Sequence, residues 1–201
     1  MLTKVQAAAT AAQWVHMEVV DSLKGHSATF SDDDGPDGGS QHIVVDGAHT
    51  SVRLVDGDAY FTADKAALIH YYGFPEARAG QLAGQWLQLS PGNKAYDDVA
   101  GGITMASALK ELSMTGPLRL LPAVQRNGRL EFGIVGKPVG KHFSSKATAT
   151  LWVAADGSLL PVEFIASDGP DLMHVSMSRW AKVVDVAQPA TAIPLFPKVT
   201  A

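Results

Sequence analysis

Apolar residues in the first stretch recur at helical spacing. Val5, Ala8, Ala12, Val15, Val19 and Leu23 stand three or four apart, which predicts one amphipathic helix over residues 3–23 with a single apolar stripe. Lys4, Gln6, Gln13 and Glu18 fall on the other side, and Gly25 stands where a glycine stop ends a helix. Beyond Gly25 the period drops to two. Short apolar or β-branched runs alternate with turn pairs: Asp46-Gly47, Asp56-Gly57, Asn127-Gly128, Asp156-Gly157 and Asp168-Gly169. Such pairs supply the positive φ angles of tight hairpins, so a large antiparallel meander is expected.

The predicted strands cover residues 25–31, 41–45, 50–55, 59–62, 85–89, 118–125, 129–136, 147–154, 159–166, 172–178 and 183–186, about eleven in all. Two helical interruptions are predicted, over 64–72 and 103–112. The first ends at Gly73-Phe74-Pro75 and the second at Gly116-Pro117. The stretches around Asp97-Asp98 and Gly101-Gly102 read as loop, and the segment from Gln188, with Pro189, Pro194 and Pro197, reads as an extended tail.

Alternation assigns faces to the strands. One side collects Val52 and Leu54, then Leu130, Phe132 and Ile134, then Ala149, Leu151 and Val153. Leu160, Val162 and Phe164 join it, as do Met173, Val175 and Met177. The other side carries Arg53, Glu131, Thr150, Glu163, His174 and Ser176. A sheet this wide must curl, and its own side chains cannot fill the hollow. The three helices are the internal candidates to fill it, and an apolar ligand is the external one.

Composition changes this picture little. The 201 residues suit one domain; the apolar fraction is 46%, the charged fraction 18%, and the formal net charge is -4. The absence of a basic stripe argues against a nucleic-acid partner. No apolar run approaches the length that spans a bilayer, and no cationic-then-apolar leader opens the sequence. With no cysteine, disulfides, thiolate metal sites and cysteine catalysis are excluded.

Catalytic signatures are missing as well. G-x-S-x-G and H-E-x-x-H do not occur, and His142-Phe143-Ser144-Ser145-Lys146 matches no nucleophile spacing, so it reads as a solvated loop. His42 and His49 can face each other across the Asp46-Gly47 hairpin, but two imidazoles lack the further ligands of a zinc site. Asp32-Asp33-Asp34-Gly35-Pro36-Asp37-Gly38-Gly39 lacks the glycine and glutamate positions of an EF-hand and reads as an exposed hairpin loop. An enzyme would need His142, His174 or His16 to converge with a carboxylate in a cleft. Met105, Met114, Met173 and Met177 could line an apolar site or simply pack in the core.

Several segments resemble one family. Val52-Arg53-Leu54-Val55-Asp56-Gly57-Asp58-Ala59-Tyr60-Phe61 and the helix after it, Leu82-Ala83-Gly84-Gln85-Trp86-Leu87-Gln88-Leu89, and Leu151-Trp152-Val153-Ala154-Ala155-Asp156-Gly157 with Leu159-Leu160-Pro161-Val162-Glu163 are similar to the LolA/LppX-like (LppX/LprG-type) actinobacterial cell-envelope lipoproteins. The resemblance runs in order through most of the chain. It implies an α+β fold: a curved antiparallel half-barrel of about eleven strands, with helices covering its concave face, as one domain over residues 1–201 and an extended tail over 188–201.

Non-enzymatic carriage of a lipid or other acylated small molecule follows from it, without a cofactor or metal. The expected cavity residues are Val52, Leu54, Leu109, Phe132, Ile134, Leu151, Val153, Val162, Phe164, Val175 and Met177. The resemblance further implies an extracytoplasmic protein whose signal peptide and lipidated cysteine precede the mature chain. Membrane contact would be peripheral through that anchor, and an envelope protein could be a partner. The alternative is a non-catalytic envelope interaction protein of the same fold, its hollow filled by its own helices.

Overall fold

The computed structural model describes residues 1–139 and 143–195; His142 lies outside them. Among the described residues thirteen strands form one open, curved sheet. Strands β1 (Val15–Leu23), β2 (His26–Asp34), β3 (Gly39–Val45), β4 (Ala48–Val55), β5 (Asp58–Ala63) and β6 (Leu87–Leu89) make one antiparallel meander. A second contains β7 (Met114–Leu120), β8 (Val124–Arg126), β9 (Arg129–Pro138), β10 (Thr148–Ala154), β11 (Pro161–Asp168) and β12 (Asp171–Ser178). The two join where β1 pairs with β12, from His16 opposite Ser178 to Ser22 opposite Leu172. β13 (Ile193–Pro194) lies parallel to β6, and the Ile193 and Leu195 N–H groups donate to the Trp86 and Gln88 carbonyls at 2.8 Å each.

Turn chemistry sets this register. Asp46-Gly47, Asp56-Gly57 and Asn127-Gly128 each place both residues at positive φ, as two-residue hairpins require. Lys24-Gly25 does the same with φ of 52° and 83°. Gly25 is therefore a hairpin residue, not a helix stop. Asp168 instead ends β11, pairing with Asp171, so that Gly169-Pro170 makes the turn.

The long N-terminal helix is corrected by this. α1 covers only Leu2–Ala12; Gln13 turns left-handed with φ of 63°, and Val15–Leu23 is a strand. Val15, Met17 and Val19 alternate into the core, while Val20 is exposed. Three other expectations change. The run 118–125 divides into β7 and β8, no strand forms over 183–186, and α3 (Glu76–Leu82) and α4 (Tyr96–Ala100) appear where no helix was expected.

Helices cover the concave face in two groups. α2 (Lys65–His70), α3 and α4 pack Leu68, Leu82 and Val99 onto Val52, Leu54, Phe61 and Leu87. α1 and α5 (Met105–Glu111) pack Val5, Met105 and Ala108 onto Ile134, Leu151, Phe164 and Val175. Each large side chain buried here contributes roughly 1.5–3 kcal/mol. α5 is also pinned to the β2–β3 turn, where the Met105 N–H donates to the Gly35 carbonyl at 2.9 Å. A Cβ at Gly39 would stand 2.3 Å from the Asp33 carbonyl and 2.8 Å from that of Ile103, so only glycine permits the approach.

Candidate functional site

Between the β1–β3 and β12 strands and the C-terminal end of α5 lies a cavity of about 290 Å³. Val19, Leu23, Phe30, Val139, Phe143 and Met173 supply its apolar wall. Asp21, Asp32, Gln41 and Glu111 are its polar members. That volume equals about ten waters at ~30 Å³ each, and it sits at the lower end of the range for small-molecule sites.

The acids arrive there by strand alternation. In β2, Ala28, Phe30, Asp32 and Asp34 share the inward side with the core, and Asp33 points out. Asp32 is 3% exposed and Asp34 is 0% exposed. The acidic run expected in an exposed loop is thus the buried end of a strand. Gln41, directly across in β3, hydrogen-bonds the Asp32 carboxyl. Asp32 Oδ1 and both Asp34 oxygens accept no hydrogen bond from the described residues. Burial first, then Glu111, Glu18 and Asp33, push the Asp32 pKa up to about 7 against the pull of Gln41. Burial, with Asp32, Glu111 and Asp33 nearby, pushes Asp34 up to about 8. Glu111 is exposed at the mouth, yet loss of hydration around its carboxyl and the charge of Asp21 raise its pKa too.

The eleven residues expected to line a cavity are divided by the structure. Ile134, Leu151, Val153, Phe164, Val175 and Met177 belong to the cluster beneath α1 and α5, with Leu109 and Phe132 packed against it. Val52 and Leu54 lie in the other cluster, beneath α2 to α4. Val162 is displaced. A register shift between Trp152 and Val153 puts Pro161, rather than Val162, opposite the inward Val153. None of the eleven borders the 290 Å³ cavity. Its own wall could be found in sequence only by reading residues 15–23 and 26–34 as a hairpin, which sets Val19 across from Phe30.

Histidines do meet carboxylates, but on the outer face. His16 Nδ1 lies 2.8 Å from Asp33 Oδ1, its Nε2 lies 2.9 Å from Glu18 Oε1, and Ser31 Oγ donates to Glu18. Further round the sheet, His174 Nε2 stands 2.7 Å from Glu163, which Arg126 also meets. Arg126 Nε is 3.3 Å from the buried Glu131, and its guanidinium lies 4.0 Å over the Trp152 ring. His16 and His174 border no part of the cavity. The His42 and His49 rings stand 5.8 Å apart. Among the described residues no group of three acids or histidines is placed to hold a metal ion.

No protein-family model matches the chain. No curated protein matches it either. Solved structures do. The lipoprotein LppX of Mycobacterium tuberculosis matches with a TM-score of 0.56 at 16% identity, over 92% of this chain and 96% of that one. LprF from Mycobacterium bovis matches with a TM-score of 0.51 at 12% identity, over 94% of this chain and 97% of that one. At these identities the likeness concerns the fold, and over nearly the whole length of both partners this chain has the open half-barrel architecture of the LppX-type lipoproteins.

Proposed function

We propose that this protein is a non-catalytic, single-domain carrier of an apolar small molecule, held between the concave sheet face and α5 in the cell envelope. The observation that carries this reading is the cavity beside β1, β2 and β12, walled by Val19, Phe30, Phe143 and Met173. Apolar contact there contributes on the order of 25 cal/mol per Å² buried and sets few directional demands, which suits lipid or acyl cargo. A chain longer than the cavity would slide under α5 and meet Leu109, Phe132, Ile134 and Met177, which form the adjoining core.

Two further features support an envelope role. The LppX likeness covers almost the whole molecule, and the sheet is open and curved like that of an LppX-type half-barrel. Among the described residues, the His16 and His174 pairs with carboxylates lie on the face opposite the cavity.

The test is organic extraction of protein purified from its native host, followed by mass spectrometry. An apolar molecule recovered at about one per chain is expected. A blank extract would favour the alternative, a hollow filled by α1 and α5 themselves.

A further inference from the structure

We propose that the free edge formed by β7 and β8 is a docking surface for an anionic lipid bilayer, with leucines on one side and cations on the other. β7 and β8 follow one another along the same edge of β9, while β10 takes its other edge. Leu118, Leu120, Val124 and Leu130 stand on these strands with 41% to 53% of their surface exposed. Register places Leu120 opposite the buried Ile134. Leu118 lies over Gly136, where a Cβ would come within 2.7 Å of its Cδ2. Leu130 shares that side of β9 by alternation. The three leucines thus carry the apolar concave face out to a rim in solvent. Scattered apolar residues are ordinary on a surface, whereas a row of them along one edge marks a contact.

Charge selects the partner. Residues 112–139 hold four cations, Arg119, Arg126, Arg129 and Lys137, against one acid, Glu131, in a chain of formal net charge -4. Glu131 is buried against Arg126, which also meets Glu163, and Arg129 lies near Asp156. Arg119 and Lys137 are exposed and form no ion pair among the described residues. Arg119 stands opposite Val135 and Lys137 opposite Thr115, so both take the convex side of the edge, away from the leucines. An anionic headgroup layer suits that division: the leucines enter its apolar margin while the two cations face phosphates. The free edge also leaves backbone N–H and C=O groups to satisfy, which holds docking at headgroup depth, where water still bonds them.

A second copy of the chain fits this edge less well. Pro117 has no N–H to donate, and the register shifts between Thr115 and Arg119; both features guard an edge against strand pairing. Two-fold pairing there would also bring Arg119 toward its own copy. Four half-exposed side chains cover far less than the roughly 800 Å² per partner of a stable pair.

Flotation of the 201-residue chain with vesicles tests the proposal, using phosphatidylcholine alone and phosphatidylcholine with about one-third phosphatidylglycerol. Binding to the anionic vesicles should be about tenfold or more tighter than to the neutral ones, and should weaken as salt rises to about 0.5 M. Arg119→Ser with Lys137→Ser should remove most of that difference and leave neutral vesicles unaffected. Leu118→Ser with Leu120→Ser should weaken binding to both by about tenfold. Val20→Ser, which removes an exposed apolar side chain in mid-sheet, should change neither. Every substituted side chain is exposed, and circular dichroism checks that each variant keeps its fold. Equal binding to both vesicles, no binding to either, or binding unchanged by the edge substitutions would overturn the proposal. So would a dimer in sedimentation equilibrium that Leu120→Ser dissolves, which would give the edge to a second copy. Cargo recovered by extraction bears on the cavity alone, so carriage and docking stand or fall separately.

Discussion

One β-strand carries two kinds of acid. Asp33 faces outward and lies 2.8 Å from His16, while its neighbours Asp32 and Asp34 face inward without a cation among the described residues. The contrast extends across the sheet. On the outer face Glu163 has both His174 and Arg126, and even Glu131, 1% exposed, has Arg126 at 3.3 Å. On the concave face Asp32, Asp34 and Glu111 have chiefly one another. Where the chain supplies the counter-charge, an acid serves the fold. Where the described residues supply none, burial raises the pKa of the acid instead.

The largest effect should come from breaking the outer pairing. Arg126→Met leaves Glu131 and Glu163 without their cation and should destabilise by about 3 kcal/mol, measured by urea unfolding at pH 7. A loss close to zero would show that the outer acids are no better partnered than the inner ones. Next, and opposite in sign, Asp34→Asn should stabilise by about 2 kcal/mol at pH 8, because it removes a buried carboxyl that accepts no bond. Asp33→Asn, one residue away, should destabilise by about 1 kcal/mol through the lost charge-assisted contact to His16. Neighbouring residues with opposite signs would sharpen the contrast; equal signs would erase it.

The pH dependence follows from the same comparison. A carboxyl whose folded pKa is raised contributes stability that is fully present below the unfolded value near 4 and is lost as pH rises through the folded value. For Asp32 and Asp34 that window closes at about 7 and about 8. Asp64, which accepts from the Ala67 and His49 N–H groups, is lowered instead, so its contribution is lost only as pH falls below about 4. Thermal melts of wild type and Asp34→Asn should therefore converge toward pH 4 and separate steadily up to pH 8. Parallel curves would mean that Asp34 titrates as an ordinary surface acid.

Much of the architecture was legible because tight hairpins demand particular residues. Asp46-Gly47, Asp56-Gly57 and Asn127-Gly128 announced their turns, and alternation in residues 147–154 placed Leu151 and Val153 inward correctly. Residues 15–23 misled because Val15 and Val19 satisfy both periods, four apart on a helix and alternate on a strand. Only the buried Met17 separates the two, and the left-handed Gln13 that ends α1 has no local signature. Losing that strand hid the cavity, since Val19, Asp21 and Leu23 are its wall. Asp32 and Asp34 were hidden by a different rule: three consecutive acids ordinarily mark solvent, and their inward facing depends on the register of β2 against β1. The Val162 displacement came from a bulge that pairing geometry, not residue type, imposes.

Carbon-13 NMR titration of the Asp32 carboxyl follows the inner acid itself. The protein should show a midpoint near pH 7, raised by burial. A midpoint near 4 would mean that Asp32 titrates as an ordinary surface acid, and the contrast between the inner and outer acids would fail.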